Sequence, residues 1–281
     1  MTPTALSGVF ASIPSPPIND IHIGPVRLTF YGLLIGIGVA LAWILVKKRF
    51  AATGGDPMAA EKILTRMVIF GFLGARAAYV STHLSRFEGE PWKVLAIWEG
   101  GLALFGGLTA GAIAFYVSAR QLGVDRREFL DAVAPAVPLA QAIGRWGNYF
   151  NQELFGVPSN LPWAVEIDSR YRPAAYPDAA TFHPTFLYES LANLALAGLI
   201  IWLGNHYPAF RRKLIGVYLA GYAMVRFLLE LIRTDTTFRF WGLSRNGWVS
   251  IGVVVIGIVI LARPAPPGDR SQPLSGIAPG G

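Results

Sequence analysis

The densest group of polar side chains lies between Gly144 and Gly156, in the run Gly-Arg-Trp-Gly-Asn-Tyr-Phe-Asn-Gln-Glu-Leu-Phe-Gly. An arginine such as Arg145 can bind a phosphate through two parallel hydrogen bonds. Asn148 can donate and accept, Glu153 adds a carboxylate, and the glycines let backbone N–H groups approach a ligand. Each residue alone would suit an ordinary loop. Together they predict a site for the phosphate-bearing headgroup of a lipid at the outer membrane interface.

A second candidate lies inside an apolar stretch, where Arg226 and Glu230 are four residues apart. A charge at the centre of a membrane helix costs about 2.5–3.5 kcal/mol on insertion scales, and this spacing places both residues on one helix face. The pair is either a structural ion pair or the lining of a cavity reached from outside. Glu189 and Arg76 also need partners; they could pair with each other, which the sequence leaves open.

Glycine and histidine supply weaker candidates. Gly106 and Gly107 follow Leu-Ala-Leu-Phe, a spacing that brings backbone close to either a partner helix or a ligand. His183 precedes a proline that suits a first helical turn, and a hydrogen-bonded interface role is favoured there over a base. Small residues also recur four apart, which favours close helix packing; the pairs are Gly32 with Gly36, Gly71 with Ala75, and Gly107 with Gly111.

Several other chemistries lack their residues. There are 0 Cys, so thiol nucleophiles and disulfides are excluded, and the 4 His are too far apart in sequence for a zinc site. No glycine-rich phosphate loop with a following lysine is present. We expect no metal and no cofactor. The net charge of +7 is attributed to membrane topology and not to binding of nucleic acid.

The elements that must position these residues are membrane helices. The 281-residue chain is 53% hydrophobic and only 15% charged, with a mean hydropathy of +0.45. About 20 apolar residues cross a bilayer as a helix, and the sequence predicts an all-α polytopic membrane protein with about seven spans. They are Phe30 to Val46, Ile63 to Val80, Gly101 to Ala119, Phe129 to Ile143, Phe186 to Leu203, Leu214 to Ile232 and Trp248 to Ala262.

Basic residues predict the orientation. With seven spans, the loops rich in Lys and Arg all fall on one side, the cytoplasm by the positive-inside rule. The N-terminus is then outside and the C-terminus inside. We expect one catalytic membrane domain over residues 1–263, with a small external cap at about 144–183. For residues 264–281 we predict a disordered cytoplasmic tail, because this segment contains too little apolar surface to fold.

With these residues in view, the chain resembles the prolipoprotein diacylglyceryl transferase family over nearly its whole length. The run from Gly144 to Gly156 is similar to the family signature. Supporting similarities are Phe30-Tyr31-Gly32, Gly74-Ala75-Arg76, Trp98-Glu99-Gly100-Gly101, His183-Pro184-Thr185, Leu187-Tyr188-Glu189, Arg226-Phe227 with Glu230, and Asn246-Gly247-Trp248-Val249-Ser250.

The resemblance implies a multi-pass enzyme of the bacterial cytoplasmic (inner) membrane with its active site toward the outer face. It would transfer the diacylglyceryl group of phosphatidylglycerol to the lipobox cysteine of a prolipoprotein signal peptide and release glycerol 1-phosphate. It further implies that Arg145 and Arg226 hold the lipid phosphate and that Asn148, Glu153 and Gly156 shape the headgroup site. The expected site residues are completed by Tyr31, Glu230, His183, Gly106 and Gly107.

One position departs from the family pattern. Many members have a histidine in the third-span motif, where this chain has Phe105. Phenylalanine cannot accept a proton, so the identity of the general base stays open, as do acyl-chain preference and entry routes. Membrane lipids are the remaining expected partners, and a monomer is expected. A small membrane transporter and a noncatalytic lipid-binding scaffold are the alternative functions.

Overall fold

The computed structural model of the protein describes residues 12–24, 26–96, 100–234 and 239–264, with Val26 and Arg239 described by their backbone only. The described residues form two compact units. One unit draws on residues 1–42 and 133–281, and the other on residues 43–132. Trp98, Glu99 and the predicted tail beyond residue 264 lie outside the described residues.

Helices dominate the described residues. Eight α-helices follow one another in chain order: α1 (Phe30–Ala52), α2 (Pro57–Thr82), α3 (Leu104–Gln121), α4 (Arg126–Val133), α5 (Ala136–Asn151), α6 (Thr185–His206), α7 (Leu214–Glu230) and α8 (Arg245–Ala262). Four of them, α1, α2, α6 and α8, are long and apolar enough to cross a membrane. With a mean hydropathy of +0.45 over the whole sequence, these four helices are typical of a helical membrane protein.

The predicted fourth span is wrong in its bounds. The chain leaves the helical path between α4 and α5, at Ala134 and Pro135, because proline lacks the N–H that a continuous helix needs. Helix α5 then continues to Asn151, so the first residues of the segment predicted as a cap, 144–151, are helical. The helix ends at Gln152, whose left-handed φ of 51° turns the chain and whose N–H bonds to the Asn148 and Tyr149 carbonyls.

Within the first unit, backbone-to-backbone contacts join the helices. Helix α5 packs along α6, α6 along α7, and α7 along α8. A Cβ on Gly257 of α8 would lie 2.7 Å from the Ala220 nitrogen of α7, so only glycine allows this approach. Such close contact lets dispersion forces act where water does not drive association.

The second unit shows the predicted small-residue packing. A Cβ on Gly107 of α3 would lie 3.1 Å from the Gly71 oxygen of α2, and one on Gly74 would lie 2.8 Å from the Gly106 oxygen. The prediction was wrong for α1: a Cβ on Gly36 meets no atom within 4 Å. Only the α2–α3 pairs therefore confirm the packing prediction.

The loops contain short antiparallel strand pairs that the sequence did not predict. They are β1 (Asp20–Ile23) with β2 (Val26–Thr29), β3 (Val165–Glu166) with β4 (Thr181–Phe182), and β5 (Arg239–Phe240) with β6 (Leu243–Ser244). The segment between α5 and α6 packs around Phe155, Val165, Ile167, Phe182 and Phe186. Ile13 pairs with Val165, which ties the N-terminal segment to this loop.

Candidate active site

The signature arginine lies on α5 within a chain of hydrogen bonds. Arg145 Nη1 donates to Asn148 Oδ1 at 3.2 Å, one turn further along the helix. Asn148 Nδ2 in turn donates to Glu153 Oε1 at 2.9 Å. The left-handed turn at Gln152 brings Glu153 back toward the helix, where its N–H bonds to the Asn148 carbonyl. The signature is therefore one connected polar unit.

Helix α6 carries the carboxylate that neutralises the charge of Arg145. Glu189 lies in its second turn and is 2% exposed, and its Oε1 is 2.7 Å from Arg145 Nη2. A buried carboxylate must be paired or it becomes protonated, so this contact answers the partner question for Glu189. Of the two arginines that could have served, it is Arg145 that pairs with Glu189.

A third element, α7, carries the second arginine. Arg226 Nη2 is 2.6 Å from Glu230 Oε2, so the predicted four-residue pair is confirmed. At the start of α8, Asn246 Nδ2 lies 3.5 Å from Glu230 Oε1. The C-terminal end of α7 and the N-terminal end of α8 therefore meet at Glu230.

Tyr222 connects the two ion pairs. Its hydroxyl donates to Glu189 Oε1 at 3.3 Å, and Arg226 follows it by four residues on the same face of α7. Arg145, Glu189, Tyr222, Arg226 and Glu230 therefore form one network, called the charged layer below. Arg145 and Arg226 are about eighty residues apart in the chain, yet both belong to this layer through Glu189 and Tyr222.

The charged layer keeps one strong donor without a protein acceptor. Arg226 Nη1 is buried, and no acceptor among the described residues bonds to it. Such a donor is costly in a bilayer unless something accepts from it. Beside a second guanidinium, it fits an anionic oxygen.

Tyr31, Gly156 and His183 lie in the same unit as this layer. Tyr31 packs against Gly147, where a Cβ would lie 2.5 Å from the Tyr31 ring. Gly156 donates to the His183 carbonyl at 2.9 Å, and a Cβ there would lie 3.0 Å from the Ile232 oxygen. His183 Nδ1 is 3.1 Å from the Tyr188 hydroxyl. This contact is the hydrogen bond that was expected for His183.

The second unit contains the remaining predicted residues. Gly106 and Gly107 both lie against the backbone of α2, so the structure supplies the partner helix that was one of two alternatives. Phe105 is 77% exposed. Arg76 donates to backbone carbonyls, among them those of Lys93 at 2.6 Å and Gly100 at 2.6 Å. Backbone carbonyls therefore satisfy the donors of Arg76 within its own unit.

Comparison with known proteins identifies the family. A family model described as prolipoprotein diacylglyceryl transferase matches residues 19–263. The chain belongs to the prolipoprotein diacylglyceryl transferase family. It is 42% identical over 252 residues, 89% of this chain and 79% of the relative, to phosphatidylglycerol--prolipoprotein diacylglyceryl transferase 2 of Streptomyces coelicolor. It is 42% identical to the Frankia alni enzyme of that name, over 94% of this chain and 71% of the relative.

A third relative is also similar to this chain over most of its length. The phosphatidylglycerol--prolipoprotein diacylglyceryl transferase of Cutibacterium acnes is 39% identical over 90% of this chain and 88% of its own length. As a member of this family, the chain is a transferase of lipoprotein biogenesis. Among the described residues, no group of three His, Asp or Glu side chains is arranged to hold a metal ion.

Sequence reasoning missed one residue of the charged layer. Tyr222 was not singled out, although it precedes Arg226 by four residues and therefore shares its helix face. That spacing was the available signal. Glu189 was recognised as needing a partner, but the identity of that partner depends on how α5 packs against α6.

Proposed function

We propose that this chain transfers the diacylglyceryl group of phosphatidylglycerol to the lipobox cysteine of a prolipoprotein; its relatives are named for diacylglyceryl transfer between these two substrates. One observation carries the proposal. Two arginines from different helices meet in one buried network, and Arg226 Nη1 still lacks an acceptor among the described residues. That arrangement suits an anionic phosphodiester.

The reaction is a displacement at carbon. The cysteine sulfur attacks C3 of the glyceryl group as a thiolate, the reactive form of the residue. A C–S bond forms, the bond from C3 to the phosphate oxygen breaks, and glycerol 1-phosphate leaves with that electron pair. The thiol proton ends on the phosphate product or on water. Arg145 and Arg226 stabilise the negative charge that grows on the leaving group.

The other site residues receive supporting roles. Asn148 and Glu153 hold Arg145 in place through the bonds described above, and Gly156 shapes the headgroup site where a side chain would not fit. Glu230 orients Arg226, and Tyr31 packs beside the signature helix. Substrate contacts by His183, Gly106 and Gly107 are implied by family resemblance and stay predictions.

We further propose seven membrane spans, with α3, α5 and α7 added to the four long apolar helices. Helix α3 packs along α2, α5 along α6, and α7 along α8. A helix that packs along a membrane span shares its depth, so each added helix is supported by its neighbour. Helix α4 is too short to span at 8 residues.

The proposed orientation follows from charge. In the first unit, basic residues cluster before α7, at Arg211 to Lys213, and after α8, at Arg263. The charged layer lies toward the other ends of these helices, near the end of α7 and the start of α8. The positive-inside rule makes the basic ends cytoplasmic. The site then faces the outer leaflet of the bacterial cytoplasmic (inner) membrane.

The remaining organisation is proposed on the same basis. Residues 1–263 form the catalytic domain, the loop between α5 and α6 caps the site outside, and residues 264–281 are a cytoplasmic tail. The partners are phosphatidylglycerol, the prolipoprotein signal peptide and surrounding membrane lipids. We propose that the chain acts as a monomer.

The test is a defined reaction in detergent. The purified chain is incubated with phosphatidylglycerol and a lipobox peptide, and mass spectrometry measures a thioether-linked diacylglyceryl product. Arg145→Lys keeps the charge but loses the planar fork, so product formation should fall; Arg170→Lys is the matched exposed control. A transporter or a scaffold would form no product, and full activity of Arg145→Lys would contradict the phosphate clamp.

A further inference from the structure

A second polar layer follows the charged layer on the same three helices. Gln141 precedes Arg145 by four residues on α5, Asn193 follows Glu189 by four on α6, and Tyr218 precedes Tyr222 by four on α7. Residues four apart share a helix face. These three residues, called the amide layer below, are therefore displaced from the charged layer by one helical turn.

The amide layer lies deeper in the bilayer than the charged layer. Asn193 is eight residues into α6, which corresponds to a rise of about 12 Å. The hydrocarbon core is about 30 Å thick, and α6 has 22 residues. Asn193 is thus well inside the apolar region, about 6 Å beyond Glu189 along the helix.

Two amides of this layer have unused hydrogen-bonding atoms. Asn193 is 0% exposed, and among the described residues neither Nδ2 nor Oδ1 has a hydrogen-bond partner. Gln141 Nε2 donates to the Tyr218 hydroxyl at 3.1 Å, but its buried Oε1 has no donor within the same part of the chain. Buried amides in proteins are almost always bonded, and a bilayer offers no substitute. These atoms indicate a polar ligand.

We propose that the amide layer binds an ester carbonyl of the diacylglyceryl group whose phosphate the charged layer holds. This inference rests on the proposed function. In such a lipid, five covalent bonds separate phosphorus from the nearer ester carbonyl carbon, which places them roughly 6 Å apart when extended. That spacing matches the step between the layers. The carbonyl oxygen accepts from Asn193 Nδ2, and water entering with the lipid donates to the amide oxygens.

The consequence is recognition of ester lipids over ether lipids. A dialkyl-ether phosphatidylglycerol has the same headgroup, charge and chain length but no carbonyl oxygen. When this ether lipid binds, Asn193 Nδ2 has no carbonyl oxygen to donate to, whereas the charged layer binds the phosphate as before. Discrimination between the two lipids therefore reports on the amide layer alone.

The experiment measures kcat/KM for diacyl and dialkyl phosphatidylglycerol with the same lipobox peptide. A single neutral hydrogen bond contributes enough for about a fivefold preference for the diacyl lipid in the wild-type chain. Asn193→Leu, which removes both amide atoms at similar volume, should lower the diacyl value to the dialkyl value and leave the dialkyl value unchanged. Ser190→Ala is the control, because that buried hydroxyl already donates to the Ala142 carbonyl; it should keep the wild-type ratio.

Each result bears on the inference. Equal kcat/KM values for the two lipids in the wild-type chain would overturn the inference without any variant. A diacyl-to-dialkyl ratio in Asn193→Leu equal to the wild-type ratio would also overturn it, because water alone would then satisfy the amide. If the wild-type chain forms no product from either lipid, the proposed function fails. Native mass spectrometry of the wild-type chain with an equimolar lipid mixture then still measures the preference, with about fivefold more diacyl lipid bound expected and equal occupancy overturning the ester site.

Discussion

Removal of the Glu189 carboxylate should destabilise the protein strongly. Glu189→Gln keeps the side-chain shape but leaves Arg145 without the anion 2.7 Å away. The Glu189 and Arg145 side chains are 3% and 22% exposed, so solvent screens the pair little. Loss of one partner of a buried pair costs about 3–5 kcal/mol. Because Arg145 retains its bond to Asn148, we expect the lower end, about 3 kcal/mol.

The assay is a double-mutant cycle in detergent with Arg145→Gln, Glu189→Gln and the double variant, followed by tryptophan fluorescence during unfolding. A loss of about 3 kcal/mol corresponds to a fall in Tm of roughly 6–12 °C in a chain of this size. The control is Glu61→Gln at the more exposed Lys47–Glu61 pair, whose side chains are 33% and 45% exposed. That change should cost less than about 1 kcal/mol. A coupling energy between Arg145 and Glu189 no larger than that of the control pair would refute the buried-pair reasoning.

Three further predictions follow from individual contacts. Arg226→Lys keeps the charge but loses the guanidinium fork, and kcat/KM for phosphatidylglycerol should fall by roughly one to two orders of magnitude; undiminished turnover would contradict this role. Gly74→Ala should lower Tm, because its Cβ would lie 2.3 Å from the Ala110 Cβ, whereas Gly36→Ala meets no atom within 4 Å and should not; equal Tm changes would contradict the packing. The hydrogen bond from Gln152, followed by that from Ser15, lowers the pKa of Asp168 from 3.8. The stability that the Asp168 carboxylate adds is therefore present above pH 3.8 and is lost as the pH falls through the lowered pKa. Hydrogen exchange at the Asp168 amide, corrected for intrinsic rates, should accelerate in that acid range in the wild-type chain, and Asp168→Asn should remove the pH dependence.

Local patterns in the sequence predicted what depends on helix periodicity. The apolar runs predicted membrane helices, and the spacing of Arg226 and Glu230 predicted their contact, because residues four apart on one helix are neighbours in any tertiary arrangement. The same reasoning predicted the close packing at Gly71 and Gly107. It failed at Gly36, because a small residue permits an approach without specifying a neighbour.

Long-range partners came only from the tertiary structure. Glu189 is paired with Arg145, and Tyr222 contacts Glu189; both facts depend on which helix faces lie together. The extension of α5 to Asn151 was also not predicted, because Gly144 and Gly147 are poor helix formers. In the structure these glycines leave room for Ile35 and Tyr31 to pack against the helix. Periodicity determines which face of a helix is polar, whereas the free energy of burying a charge or an amide depends on the atoms that other helices bring to it.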